Sequence, residues 1–189
     1  MNQRTQWLGY HGTSVLNAGL IVKATFNVSK REKDWLGTGA YFFLESAGLK
    51  SPIEKAAEWA NRRAKNAKPP YTSLSVLEAE IETETHLDLN DEMHIAALNT
   101  IRDEYIEIIK TAGKRPSEDG LLNKCTFCNY VMQEHGIDAL VRREYIKTTD
   151  DEMELGFDGG VPNCRIICVK EPTASIRNVR YAVERRRIV

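Results

Sequence analysis

The sequence predicts an α+β fold, short apolar strands with amphipathic helices set between them, and three observations predict it. Leu77, Ala79 and Ile81 alternate with Glu78, Glu80 and Glu82, the period of a strand with one face in a core and one in water. Ser51-Pro52-Ile53-Glu54 reads as a helix start: a capping serine, a proline suited to the first turn, and a glutamate that completes a capping box. Arg165-Ile166-Ile167-Cys168-Val169 is a late apolar run of strand length, stopped before Pro172. Strands and helices in this irregular succession give α+β.

Size and composition narrow the class. At 189 residues the chain has the length of one domain with a core of its own. Apolar residues make up 42% and charged residues 28%, an ordinary globular balance. A net charge of −1 provides no global field for nucleic acid or membrane. No apolar run approaches bilayer length, and Met1-Asn2-Gln3-Arg4-Thr5 lacks the apolar core of a signal peptide, so the expected location is cytoplasmic with no membrane partner. The four cysteines are then expected as thiols.

In chain order, Trp7-Leu8-Gly9-Tyr10 reads as a strand that reaches a turn at His11. Ser14 to Ala18 can make a helical turn that Gly19 stops, and Leu20-Ile21-Val22 reads as a short strand. Residues 25–34 form a polar loop carrying Lys30, Arg31 and Lys33. Trp35-Leu36-Gly37 follows, and Ala40 to Leu44 is a buried strand entered through Gly37 and Gly39, where glycine marks close approach of a backbone or ligand. The helix from Ser51 runs through Ala56, Ala57, Trp59 and Ala60 to about Lys65, with Arg62, Arg63 and Lys65 at the end where the dipole favours cations.

After the 77–81 strand, expected at an edge or with one face exposed, Leu87-Asp88-Leu89 precedes a helix opened by Asn90 or Asp91. Its predicted stripe is Leu98, Ile101, Tyr105, Ile108 and Ala112, closed by Gly113. A further helix begins at 117–119, buried through Leu121, Leu122, Cys125, Cys128, Val131 and Met132 and stopped by Gly136. Ile137 to Val141 returns as a strand, and 142–160 is irregular, with an acidic run of Asp150, Asp151, Glu152 and Glu154. The tail from Ile176 carries Arg177, Arg180, Arg185, Arg186 and Arg187 and reads as a solvated end or a surface for phosphate or an acidic partner.

Cys125 and Cys128 form a C-x2-C pair that Cys164 and Cys168 would complete as four thiolates. Zinc knuckles place such pairs on tight turns, whereas these fall on a helix stripe and a strand, which favours core packing over metal. The acidic run lacks the glycine punctuation of a calcium loop and reads as solvated. His11 follows a strand and precedes Gly12-Thr13-Ser14, small residues that leave backbone groups free for a ligand. Together with Tyr41 it is expected to line one cleft.

Tyr10-His11-Gly12-Thr13-Ser14, Trp35-Leu36-Gly37-x-Gly39-x-Tyr41-Phe42-Phe43 and Ala56-x-x-Trp59-Ala60 resemble the ADP-ribosyltransferases, in the diphtheria-toxin and poly(ADP-ribose) polymerase branch and its small bacterial relatives. The resemblance is specific over residues 7–60 and fades over 137–178. The helices of roughly 90–135 match no motif and look like an insertion into a single domain spanning 1–189. The resemblance implies a split pair of small sheets clasping NAD+. By position, His11 would bond the ribose next to nicotinamide, the Gly12 backbone would hold the nicotinamide amide, and Tyr41 would stack on the ring, with Thr13 and Trp59 in the same binding wall.

It also implies a mono-ADP-ribosyltransferase acting on a macromolecule, in a bacterial toxin or anti-phage effector held in check by an antitoxin protein. Nucleic acid, RNA or DNA, is preferred over protein as acceptor because Arg165, Arg142, Arg143 and the tail are expected to form a basic patch. Many relatives carry a glutamate at the head of the late strand. Here the matching position is Arg165 or Cys164, neither acidic. Either Asp158 or Glu154 swings in, or Arg165 grips a phosphate as the third active residue, or NAD+ is bound without efficient transfer. The alternatives are a non-catalytic module binding NAD+ or ADP-ribose, an NAD+ glycohydrolase, and a zinc-stabilised nucleic-acid binder using all four cysteines.

Overall fold

The computed structural model describes residues 4–29 and 31–188; Met1 to Gln3, Lys30 of the polar loop and Val189 of the tail lie outside the described residues. The first strand, β1, spans Thr5–Ser14 and carries His11 within it, not at its end. Helix α1 (Val15–Lys23) starts at Ser14, whose side chain accepts from the Asn17 N–H, and absorbs the run Leu20-Ile21-Val22 that periodicity reads as a strand. Gly19 does not stop it, because one glycine costs a helix only about 1 kcal/mol. Strand β2 is Ala40–Leu44, and α2 (Pro52–Asn66) begins at the predicted proline, although Ser51 makes no side-chain cap bond.

Strand β3 (Ser73–Thr83) and the short β4 (His86–Asp88) follow. Helices α3 (Glu92–Thr111) and α4 (Gly120–Glu134) are capped by Asp91 and Asp119, each accepting from two backbone N–H groups of the first turn. On α3 the half-buried stripe is Leu98, Ile101, Tyr105 and Ile109, while Ile108 is exposed. Strand β5 (Ala139–Glu144), a one-turn α5 (Asp150–Glu154), β6 (Cys164–Val169), α6 (Pro172–Ser175) and β7 (Ile176–Arg187) complete the order. The arginine tail is thus a 12-residue strand, with Tyr181 and Val183 among its strand-forming residues.

Among the described residues the fold is α+β, with one seven-stranded sheet in the order β4-β5-β6-β2-β1-β3-β7. Only β4 and β5 are parallel, joined through α3 and α4. β3 is therefore interior, and the arginine-rich β7 takes the edge, where charge discourages further pairing. β1 pairs with β3 from Thr5 opposite Thr83 to Ser14 opposite Leu74. Its junction with β2 is brief, Gly9 opposite Leu44 and Tyr10 opposite Phe43.

The two faces have separate cores. Tyr10, Phe43, Leu74, Val76, Ile166 and Cys168 pack on one face with α2 and α4. Phe42, Leu44, Leu77, Ile81, Ile167 and Val169 pack on the other with Ala18 of α1 and Phe26. Among the described residues no helix is long and apolar enough to cross a membrane.

Ala56, Ala57, Ala60 and Ala64 are buried along α2, and these small side chains let its backbone lie on β1. At Gly12 the approach is so close that a Cβ would stand 1.8 Å from the Ala56 carbonyl oxygen. Gly12→Ala is expected to cost on the order of 3 kcal/mol or more, because backbone cannot yield as a side-chain tip does. Gly48→Ala, at φ +77° with open space around it, should cost about 1 kcal/mol. Urea denaturation of the two variants checks the difference.

Candidate functional site

Tyr41 organises the site from both ends of its residue. Its hydroxyl donates to the Gly37 carbonyl at 2.6 Å and accepts from the Leu36 N–H at 2.8 Å, tying down the turn that leads into its own strand. Burial raises the phenol's pKa, so it stays a neutral donor. Gly37 holds φ +84°, and a Cβ there would meet Asn129 Oδ1 and Met132 Cε of α4. Asn129 also accepts from the Thr38 N–H at 2.6 Å and the Thr38 hydroxyl at 3.1 Å. Far from being peripheral, α4 therefore buttresses the turn that holds Tyr41.

His11 takes over where the β1–β2 ladder ends. Its Nδ1 lies 2.9 Å from the Tyr41 carbonyl oxygen, which can only accept, so Nδ1 carries the proton and Nε2 presents a lone pair. Burial lowers the imidazole pKa, outweighing the Tyr41 carbonyl, which favours protonation. The ring is steadied by Phe26 at 5.2 Å, edge to face, and by Phe42 at 5.8 Å.

Two cavities share His11. One, of about 30 Å³, is apolar and lined by Gly12, Trp35, Tyr41, Phe43 and Trp59, with Ile146 and Ile166 beyond. Trp35 stands edge-on to both aromatic neighbours, 6.3 Å from Tyr41 and 5.3 Å from Trp59. The Arg62 and Arg63 guanidinium groups lie 5.4 and 5.9 Å from the Trp59 ring centre. The other cavity, of about 280 Å³, is lined by Thr13, Asn17, Asn27, Phe26 and the α1 residues Leu20 and Ile21.

The structure brings His11, Gly12, Thr13, Tyr41 and Trp59 together across these cavities. It does not bring Arg165 to them. Arg165 lies opposite Leu44, whose side chain packs on the other face of the sheet from Phe43, and its guanidinium bonds Asp88 Oδ2 at 2.7 Å. Cys164 is on the Tyr41 side, but burial pushes its thiol up to about 12, and its Sγ donates to the Glu144 carbonyl, so it presents no charge. Glu154 and Asp158 are exposed and line neither cavity.

The basic patch also fails to converge. Arg142 pairs with Glu144 on β5, and the tail arginines lie on β7, four strand spacings from β6 or roughly 19 Å.

Three features escape the sequence reading. Asn129 is one, a polar residue beside the Cys125, Cys128, Val131 and Met132 stripe. The second is the polar wall of the larger cavity, Asn17 and Asn27. The third is a network that pins residues 146–149 against α2. Lys55 Nζ, nearly buried, donates to Thr148 Oγ1 at 2.8 Å, and that hydroxyl donates to Glu58 Oε2 at 2.6 Å. Against the effect of burial, N–H groups of Thr148 and Thr149 hold the Glu152 carboxyl at about 2. Ile146 is thereby fixed as a wall of the aromatic cavity. The T-x-x-E spacing of Thr149 and Glu152 is the signal that exposes the last link.

All four cysteines are buried free thiols, and among the described residues no group of three or more His, Cys, Asp or Glu side chains is placed to hold a metal ion. No protein-family model matches this chain, and no curated protein matches it.

Because the folded imidazole binds its proton more weakly than the unfolded one, at 6.5, the unfolded state holds the extra proton between the two values. His11 therefore contributes stability that is complete above about pH 6.5 and is lost as pH falls through its lower folded value. His11→Gln should flatten this slope in urea midpoints measured across that acidic range. Tyr41→Phe should cost about 1–3 kcal/mol, because the Leu36 N–H and Gly37 carbonyl lose their partner.

Proposed function

We propose that the chain binds NAD+ across the two His11 cavities and transfers its ADP-ribose to a macromolecule. The observation that carries this reading is His11 itself. A neutral, oriented imidazole stands between an aromatic slot and a larger polar-walled cavity, as an elongated ligand with a flat ring at one end requires. The strands form one continuous sheet where the resemblance implies a split pair, and the brief β1–β2 junction is the point at which such a split would fall. The convergence of His11, Gly12, Tyr41 and Trp59 from three separate stretches of sequence supports the reading.

In this reading His11 Nε2 accepts from a ribose hydroxyl next to nicotinamide, and Tyr41 and Trp59 form the walls of the nicotinamide slot. The slot of about 30 Å³ has room for a water, so this reading requires its aromatic walls to part when the ring enters. Thr13, Asn17 and Asn27 line the space for the adenosine end. The bond between the ribose anomeric carbon and the pyridinium nitrogen breaks, its electron pair leaving with neutral nicotinamide. A lone pair on the acceptor then bonds that carbon, and the acceptor's proton passes to solvent. With no carboxylate lining the slot, rate enhancement comes from fixing the ribose and the ring relative to each other.

That same feature supports a second reading, a module that binds NAD+ or ADP-ribose without turning it over. The acceptor, RNA, DNA or protein, is left to experiment, since the arginines that favoured nucleic acid are spread across the sheet. The toxin or anti-phage role and an inhibitory antitoxin belong to the resemblance and are proposed with it, and the cytoplasmic setting is proposed from the sequence's lack of a signal-peptide core.

The test is incubation with NAD+ labelled in its adenylate, with cell protein or with RNA and DNA, followed by nuclease or protease. A transferase gives macromolecular label that His11→Ala reduces by roughly 100-fold or more, the scale of a lost positioning contact. Nicotinamide release without macromolecular label indicates the glycohydrolase. NAD+ binding in calorimetry with no turnover indicates the binding module, and absence of both binding and turnover rejects the NAD+ reading.

A further inference from the structure

A further concave surface lies away from His11, between α3 and α4. It is a groove of about 700 Å³ to which each helix presents a stripe at helical spacing. Arg102, Tyr105, Ile106 and Ile109 come from α3. Gly120, Asn123, Lys124 and Phe127 come from α4. None of the 20 residues of α3 is fully buried, although helices in globular proteins draw most of their stability from a buried face. Ile106 is 40% exposed on the groove floor, beside Tyr105 and Phe127, whose rings pack at 5.6 Å.

Charge selects the occupant. Arg102, Lys114, Arg115 and Lys124 line the groove, and among the described residues no acidic one does. Arg102 and Lys124 are engaged, with Asp103 and Glu144. Lys114 and Arg115, in the loop that closes one end, make no side-chain ion pair or hydrogen bond among the described residues. An apolar lining of Tyr105, Ile106, Ile109, Leu122 and Phe127 offers little to a phosphate backbone, whereas with cations beside it that lining fits a helix with one apolar face and acidic flanks.

We infer that the α3–α4 groove is a docking site for an acidic amphipathic helix of a partner protein, received as a third helix against the pair. This inference is independent of the NAD+ reading, and neither its support nor its test involves NAD+.

The test uses the whole chain and a fluorescein-labelled helical peptide of about twenty residues, long enough to hold a helix in solution, with leucines at i, i+3, i+4 and i+7 and glutamates on the flanks. Its counterpart carries lysines in place of the glutamates. Fluorescence anisotropy should show saturable binding of the acidic peptide that weakens with salt and that the lysine peptide does not share. Ile106→Glu and the double variant Lys114→Glu, Arg115→Glu should each weaken it by about tenfold or more, the effect of an interface hot spot. Both changes fall on solvent-facing positions, and thermal melts matching the wild type establish that the variants are folded.

No binding of the acidic peptide, equal binding of the lysine peptide, or binding unchanged in both variants overturns the inference. So does a labelled uridine-rich RNA that binds the wild type and is lost in both variants, since that assigns the groove to nucleic acid.

Discussion

Everything at the site hangs on Tyr41 being held at both ends. Its hydroxyl closes the 36–37 turn, and its carbonyl takes the Nδ1 proton of His11. A relay of contacts therefore runs from α4 through Asn129 to Thr38, through the turn to the phenol, and along one residue to the imidazole. Each hydrogen bond adds only about 0.5–1.5 kcal/mol net, but a buried group left without its partner costs more. The set therefore links the His11 imidazole, through Tyr41 and its turn, to Asn129 far along the chain.

The location follows from the sheet. β1 is paired along its whole length with β3 and over only two residue pairs with β2. Where that ladder stops, backbone groups must find other partners, and the His11 side chain supplies one for the Tyr41 carbonyl. An imidazole in a strand pairing position is restrained by packing above and below, here by Phe26 and Phe42, yet keeps one nitrogen for a ligand. A polar group so placed is oriented before any ligand arrives, which is where positioning catalysis gains most.

Charge is distributed so that the aromatic slot stays neutral. Lys55, Glu58, Thr148 and Glu152 satisfy one another beside α2, and Arg165 and Asp88 do so across the sheet. The Arg62 and Arg63 guanidinium groups lie over the ring of Trp59, which lines the slot. Under the NAD+ reading, cationic groups beside Trp59 suit the pyrophosphate of the ligand. On the opposite side of α4, Lys114 and Arg115 of the α3–α4 loop line a separate groove, so α4 borders both the Tyr41 turn and that groove.

Local patterns decided much of this by themselves. The alternation at 77–82, the Pro52 helix start and the α4 stripe all reflect backbone geometry repeating over a few residues and reappear in the fold. Within the expected stripe, however, Leu121 is exposed and Leu122 only half-buried, and Cys125, Cys128, Val131 and Met132 alone are buried. His11 and Tyr41 were expected in one cleft from their positions, Gly12 and Trp59 joined them only through the resemblance, and all four line one cavity. What sequence could not decide was parity and partnership. Arg165 and Cys164 differ by one residue, and only pairing with Leu44 determines which of them faces Tyr41. Leu20-Ile21-Val22 suits helix or strand until Ser14 caps it as helix, and the arginine tail becomes a strand only because β3 offers an open edge. Asn129 gains its role from a turn 91 residues earlier. A side chain's period is written in its neighbours, but the face it turns to the site is set by a strand or helix far away in the chain.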